Sequence, residues 1–324
     1  MNSSELPTPF NIAERVWDWR RDMLGPLGWR KHCLAILKDD LFAEQLPPSE
    51  NLYACGAFGV MAARRFTQFI VWTNHPDRMR EWLEWAIGES KQEGRFTAPA
   101  VSDHGGELFA RRGDQATSDG LYRASGGAAG LWYPLANVRL ATVVNNQEQA
   151  DARIPELMLC MHEQCVIICD PLMETIDLRS WLHLRTCSVY LEDDPAERER
   201  TTCDCRQVVE QLVRDGNMGS IGWIVAGGGY GHKAKPCPMD SLVSLVQQGK
   251  QAGVPVCISR LGARPKNGRI IDWRPAKPPS FDPRYREECR FHAQKGDNVN
   301  EWPGILRVQE RPRWAMLRSM LGGK

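Results

Sequence analysis

Several short apolar runs in this sequence end on side chains that could do chemistry. Asp39 and Asp40 fall near the end of CLAILKDDLF, His75 follows FTQFIVWTN, and Asp170 follows QCVIIC. An imidazole titrates in the range useful for proton transfer, and a nearby carboxylate can orient it. His75 with Asp40 or Asp170 is therefore a candidate acid–base set. The plainer reading stands beside it: His75 precedes Pro76 and can cap a helix, while Asp170 precedes Pro171 and can fix a turn through its own side chain.

The second candidate is the stretch WIVAGGGYGHKAKP, Trp223 to Pro236, in which an apolar tetrad runs into glycines and then lysines. It lacks the G-x4-G-K-[ST] spacing of a phosphate-binding loop. It is not a dinucleotide fingerprint either, because Pro236 and Pro238 precede the next helix. Two readings remain open. Gly227, Gly228 and Gly229 let backbone approach a ligand bordered by Tyr230, His232 and Lys235, or they simply make a tight turn.

Eleven cysteines in a long chain are an odd number and do not form the paired framework of a small secreted domain, so mostly reduced thiols are expected. Cys203 and Cys205, with Cys187 and Cys237, invite a zinc reading, but C-x-C is a poor match to the usual C-x2-C knuckle. No metal site is predicted.

These residues need elements to hold them. The chain has 324 residues, is 42% hydrophobic and carries a net charge of +1. It can bury a full core, and it has no global field for nucleic acid or membranes. No run approaches the ~20 apolar residues of a membrane span. The N-terminus lacks a leader pattern, so a cytoplasmic location is expected.

Residues 33–42 read as a strand, with a helix from Ser49 as N-cap. FTQFIVWT reads as a second strand, with Pro76 opening a helix whose Met79, Trp82, Leu83, Ala86 and Ile87 recur at helical spacing. Residues 88–134 read as a long irregular insertion. NVRLATVV is a strand, followed by a helix from about Asn146 with a kink or restart at Pro155. QCVIIC, IGWIVAG and VPVCISRLG are further strands; helices are expected over about 205–215 and 240–251. Trp82, Trp85, Trp181 and Trp223 fall in patterned segments and read as packing residues.

Strand and helix alternate at least five times, which implies parallel strands with crossover helices, in an open sheet or a β/α barrel. In either, ligands gather at the C-terminal strand ends. The residues there are Asp39 and Asp40; Thr73, Asn74 and His75; Asn145 and Asn146; Asp170; Gly227 to His232; and Ser259 and Arg260.

The ordered blocks DDLFAEQLP, VWTNHPDRMREWL, NVRLATVVNNQEQADARIPEL, CDPLMETIDLRSWL, GWIVAGGGYGHKAKP, QAGVPVCISRLG and KGDNVNEWPGILRVQERP resemble a phage- and prophage-associated family of radical-SAM-like proteins of unassigned function. The similarity covers roughly residues 15–85 and 137–312. It implies a partial (β/α) barrel over residues 1–262, with the insertion at 88–134 and a C-terminal extension over 263–324 packed on the barrel or a partner.

Departures from the pattern are as informative. Family members begin with a cysteine-rich loop that holds an iron–sulfur cluster, and this sequence starts downstream of it. Cys160, Cys165 and Cys169 have spacing C-x4-C-x3-C instead of C-x3-C-x2-C, straddle a helix end and a strand, and read as core thiols. A family lysine is replaced by Asn74, a glutamate by Asn145, Gly-Gly-Glu-Ser-Gly by Gly227 to Gly231, and Lys-Gln by Ser259-Arg260; Asp40 and Asp170 stay acidic.

The expectation is a repurposed or non-catalytic relative without a cofactor, binding a small ligand, nucleic acid or protein at the strand-end rim. The alternatives are an active enzyme with atypical cysteine ligands, using S-adenosylmethionine and [4Fe–4S], or a cluster-free enzyme built on His75. In the tail, basic residues from Arg307 to Lys324 interleave with Trp314. It could touch nucleic acid, or it could dock through Met316, Leu317, Met320 and Leu321 on the barrel or another subunit. A phage-encoded chain would work in the host cytosol.

Overall fold

The computed structural model describes residues 33–37, 39–63, 67–87, 95–96, 131–132, 135–160, 164–182, 219–231, 234–266, 296–312 and 314. Outside them lie the helix expected over 205–215, Cys187, Cys203, Cys205, His232, Lys233, most of the 88–134 insertion, and residues 313 and 315–324 of the basic tail. The chain divides into two compact units: residues 1–139 with 314–324, and residues 140–313. No helix among the described residues is long and apolar enough to cross a membrane.

In the first unit, β1 (Cys33–Ile36) pairs in parallel with β2 (Thr67–Thr73) through the helix α1 (Leu52–Ala63). Strand β1 is shorter than the apolar run suggests. Leu37 still donates to Ile70, but the chain then turns to present Asp39 and Asp40. The cap of α1 also differs from expectation: Ser49 lies in a 3-10 turn, Pro48–Glu50, and the Asn51 side chain accepts from the Ala54 amide at 3.1 Å. Asn51 is buried and also donates to Leu41 O, so one amide secures both the helix start and the preceding turn.

Helix α1 is apolar nearly all round, as suits an element buried on several sides: Tyr53, Ala54, Cys55, Ala57, Phe58 and Met61 are in the core. Helix α2 (Pro76–Ile87) buries the expected stripe of Met79, Trp82, Leu83, Ala86 and Ile87. The Trp82 ring lies 4.9 Å from that of Phe58 and 5.9 Å from that of Phe42, and burial of each large side chain contributes about 1.5–3 kcal/mol. The insertion is not wholly irregular: β3 (Arg95–Phe96) and β4 (Leu131–Trp132) pair antiparallel.

The second unit carries a parallel sheet. Strand β5 (Val138–Val143) leads into it from the first unit and pairs with β6 (Gln164–Cys169), which pairs with β7 (Ser220–Gly227), which pairs with β9 (Val256–Arg260). Helix α3 (Gln147–Met158) joins β5 to β6. A short helix, α4 (Arg179–Leu182), lies between β6 and β7; after β7 and the strand β8 (Cys237–Pro238), helix α5 (Met239–Ala252) leads to β9. Strand, helix, parallel strand is the crossover that the alternation predicts.

Helix α3 continues through Pro155 without restarting. The proline sits in the last turns, and the carbonyl four residues back belongs to the exposed Asp151, where water can satisfy it. A two-residue strand, β10 (Pro265–Lys266), pairs with β8. The edge of β9 is covered by residues 308–310: Ile258 donates to Val308 O, Glu310 to Val256 O, and the Trp223 indole to Glu310 O. Trp302, fully buried ahead of this segment, anchors it.

Candidate functional site

Both units present polar residues where their strands end. In the first, β2 delivers Thr73, Asn74 and His75 ahead of α2. The Thr73 hydroxyl accepts from the His75 amide at 2.9 Å, and the His75 carbonyl accepts from Met79, so this corner is a helix cap. Asp40 spans it: Oδ2 accepts from the Asn74 amide at 2.9 Å and Oδ1 from the Phe42 amide at 3.0 Å. Among the described residues, the His75 imidazole makes no hydrogen bond to Asp40. Arg78 closes the turn by donating to the carbonyls of Phe42 and Ala43, and the Trp72 indole donates to Leu37 O. Asp39 is exposed and, among the described residues, receives only a long contact, 3.5 Å, from the Tyr53 hydroxyl.

In the second unit the strand ends of β6, β7 and β9 converge on one carboxylate. Asp170 Oδ1 receives Nη2 of Arg260 at 2.7 Å, and Oδ2 receives the Ser259 hydroxyl at 2.8 Å. Both partners of the ion pair are largely buried, with side-chain exposures of 12% for Asp170 and 27% for Arg260. Arg260 also donates through Nε to Gly228 O at 3.0 Å and lays its guanidinium 4.6 Å over the Tyr230 ring. Tyr230 is nonetheless 59% exposed.

The glycine run follows from this crowding. A Cβ on Gly227 would collide with Ser259 Oγ and lie 2.9 Å from Asp170 Oδ2. One on Gly228 would collide with the Leu261 carbonyl oxygen, lying 2.7 Å from the carbonyl carbon. At these two positions glycine is required by close approach of side chain and backbone. Gly229 is under less constraint, since a Cβ there would make ordinary contact with Pro171 at 3.4 Å; Gly231 has open space beside it, but its φ of 89° lies in the left-handed region that favours glycine.

The loop after β6, which begins with a cis Asp170–Pro171 bond, ties neighbouring strand ends together. Leu172 donates to Gly227 O at 2.7 Å and Met173 to Asn145 O at 3.1 Å. Asn146 caps α3 by accepting from Gln149 at 2.9 Å, and Gln149 Oε1 accepts from the Asn145 amide. Among the described residues, the buried Asn145 Oδ1 has no hydrogen-bond partner. Lys235 is exposed beyond the loop, and His232 lies outside the described residues.

The structure thus brings Asp170, Gly227, Gly228, Tyr230, Ser259 and Arg260 together, with Asn145 further along the same rim. Asp40, Thr73, Asn74 and His75 form a separate cluster in the other unit. Sequence reasoning missed Gln149, the Leu172–Met173 bridge and the covering segment 308–310. The polar spacing of Asn146 and Gln149 is the one signal that could have pointed to Gln149.

The arrangement of Cys160, Cys165 and Cys169 does not suit a cluster. Cys160 follows α3 and donates to Glu156 O, while Cys165 and Cys169 occupy opposite ends of β6, about 13 Å apart along an extended strand. All three are buried, and burial pushes the Cys169 thiol up to about 12. Cluster ligands converge as thiolates from a loop. No group of three or more His, Cys, Asp or Glu side chains that could hold a metal ion occurs among the described residues.

Residues 3–304 match the family described as Protein of unknown function (DUF5131). The chain belongs to the DUF5131 family. No curated protein and no solved structure matches it. In this DUF5131 chain both oxygens of Asp40 and both of Asp170 already accept hydrogen bonds from protein donors, whereas the Tyr230 ring, the Asp39 carboxylate and part of the Arg260 guanidinium are less engaged.

Proposed function

We propose that this DUF5131 chain is a radical-SAM-like, phage-type scaffold of partial β/α-barrel architecture that works without an iron–sulfur cluster and binds a small ligand at the strand-end rim of its second unit. One observation carries this reading: both oxygens of Asp40 and both of Asp170 serve as braces. A general base needs a lone pair directed at substrate, and the oxygens of these two carboxylates are directed at protein donors instead. Binding needs less. Spare donors and an exposed ring at the ends of parallel strands are enough for recognition.

The buried thiols favour this reading over the cofactor-dependent alternative, and the engaged carboxylates favour it over acid–base catalysis by His75. Purification without oxygen, followed by iron analysis and assay of reductive S-adenosylmethionine cleavage, tests it. Iron far below one per chain and no cleavage are expected. Stoichiometric iron with cleavage contradicts the proposal.

A further inference from the structure

The rim reading leaves the class of ligand open, and the backbone of the loop after β7 narrows it. Gly228 O accepts from Arg260 Nε at 3.0 Å and Gly229 O from the Ala263 amide at 2.8 Å, so two successive carbonyls point at the segment that follows β9. In a trans peptide the N–H lies opposite the C=O. The amides of Gly229 and Tyr230 share planes with those carbonyls, and both therefore face away from that segment. Among the described residues neither amide has an acceptor, and the Gly231 amide, next along, has none either.

In an extended strand adjacent amides point to opposite sides, and the Gly229 carbonyl breaks that alternation. Successive N–H groups turned to one side form a small electropositive hollow of the kind that takes anions. The glycine at 229 fits this use. Gly227 and Gly228 are fixed by crowding and Gly231 by its φ of 89°, but a Cβ at Gly229 would make only ordinary contact, 3.4 Å from Pro171 and 3.8 Å from Ala234. A bare Cα there lets a ligand approach the two amides.

The charges agree. From Gly227 to Pro238 the sequence carries Lys233 and Lys235 and no acidic residue, and the next one, Asp240, lies in the first turn of α5. Asp170, the carboxylate that reaches this corner, is already paired with Arg260 at 2.7 Å. Lys235 is exposed and has no ion-pair partner among the described residues.

We infer that the backbone from Gly229 to Gly231 is a cradle for an oxyanion, the phosphoryl or carboxylate group of the rim ligand. The amides donate to its oxygens and Lys235 supplies the opposite charge. Tyr230, 59% exposed, presents its ring beside the cradle to the rest of the ligand.

The inference rests on the rim reading, and amide NMR of the full-length, isotope-labelled chain separates the two. The probes are inorganic phosphate and acetate, titrated at constant ionic strength into the wild type, Gly229→Pro, Lys235→Gln and Lys235→Arg, each checked by melting temperature. The Gly229 and Tyr230 amide protons are expected to move downfield and to saturate. Gly229→Pro removes one donor and should weaken binding about tenfold or more. Lys235→Gln should weaken it about threefold, and Lys235→Arg should stay within about twofold of the wild type. Saturation by phosphate alone identifies a phosphoryl group and saturation by acetate a carboxylate; either supports the cradle. No saturable shift of these amides with either anion overturns it, as does binding that Lys235→Gln leaves unchanged. If an uncharged copurifying molecule shifts the Ser259 and Arg260 amides while neither anion moves Gly229 or Tyr230, the rim reading survives and only the oxyanion falls.

Discussion

The two strand-end clusters are made of similar residues and put them to different uses. In the first unit, Asp40, Thr73, Asn74 and His75 close upon themselves through side-chain to backbone hydrogen bonds. In the second, a charge pair, a hydroxyl and close glycine packing hold the corner so firmly that Tyr230 and part of Arg260 can face outward. A corner braced by backbone bonds uses up its polar groups, whereas one braced by a side-chain network can spare some for recognition.

Breaking the second corner has the largest expected effect. Gly228→Ala places a Cβ against backbone on both sides, at Leu261 and Gly262, neither of which can shift cheaply. A loss of about 3 kcal/mol or more is expected in urea unfolding. Arg260→Ala leaves the largely buried Asp170 charge without its partner and should cost about 2–3 kcal/mol by the same measurement. Arg260→Lys should recover little, because a lysine cannot serve Gly228 O and Asp170 Oδ1 together.

Alkaline pH sharpens the comparison. Burial pushes the thiols of Cys55, Cys169 and Cys237 up to about 12, above their ordinary value. At neutral pH both folded and unfolded states keep these protons. Above about pH 9 only the unfolded state releases them, so stability falls as pH rises toward about 12, by roughly 1.4 kcal/mol per thiol per pH unit. The first unit contains Cys55 and the second contains Cys169 and Cys237, so hydrogen exchange in the second should accelerate more between pH 9 and 10. Equal acceleration would mean that the units do not unfold separately.

The first corner should respond weakly. Asp40→Ala removes acceptors from the Phe42 and Asn74 amides in a half-buried turn, with an expected cost of about 1 kcal/mol. Asn145→Ala is expected to be smallest, within about 0.5 kcal/mol, because Oδ1 has no partner to lose.

Much of the scaffold was legible because its signals are local. Helical recurrence marked the buried stripe of α2, apolar runs bounded by turn residues marked β6, β7 and β9, and Asn146 reads as a cap. Less was legible where tertiary partners decide. Ser49 has a good capping side chain, but a turn initiated by Pro48 moved the cap to Asn51, whose second bond to Leu41 no short window reveals. The strand-end residues were recognisable as a set, since topology puts them on a rim. Which of them are braces and which are spare depends on contacts such as Arg260 with Asp170, which are 90 residues apart. The glycine run was ambiguous for the same reason: Gly227 and Gly228 answer to Ser259 and Leu261, far along the chain.

The most direct measurement compares the two corners as binding sites. Native mass spectrometry of the purified chain, with its copurifying molecules retained, would be run on Asp40→Asn with His75→Ala and on Tyr230→Ala with Asn145→Ala. Retention of bound ligand in the first double variant and its loss in the second is the predicted result. Loss in the first with retention in the second would contradict the assignment of recognition to the Tyr230–Arg260 corner.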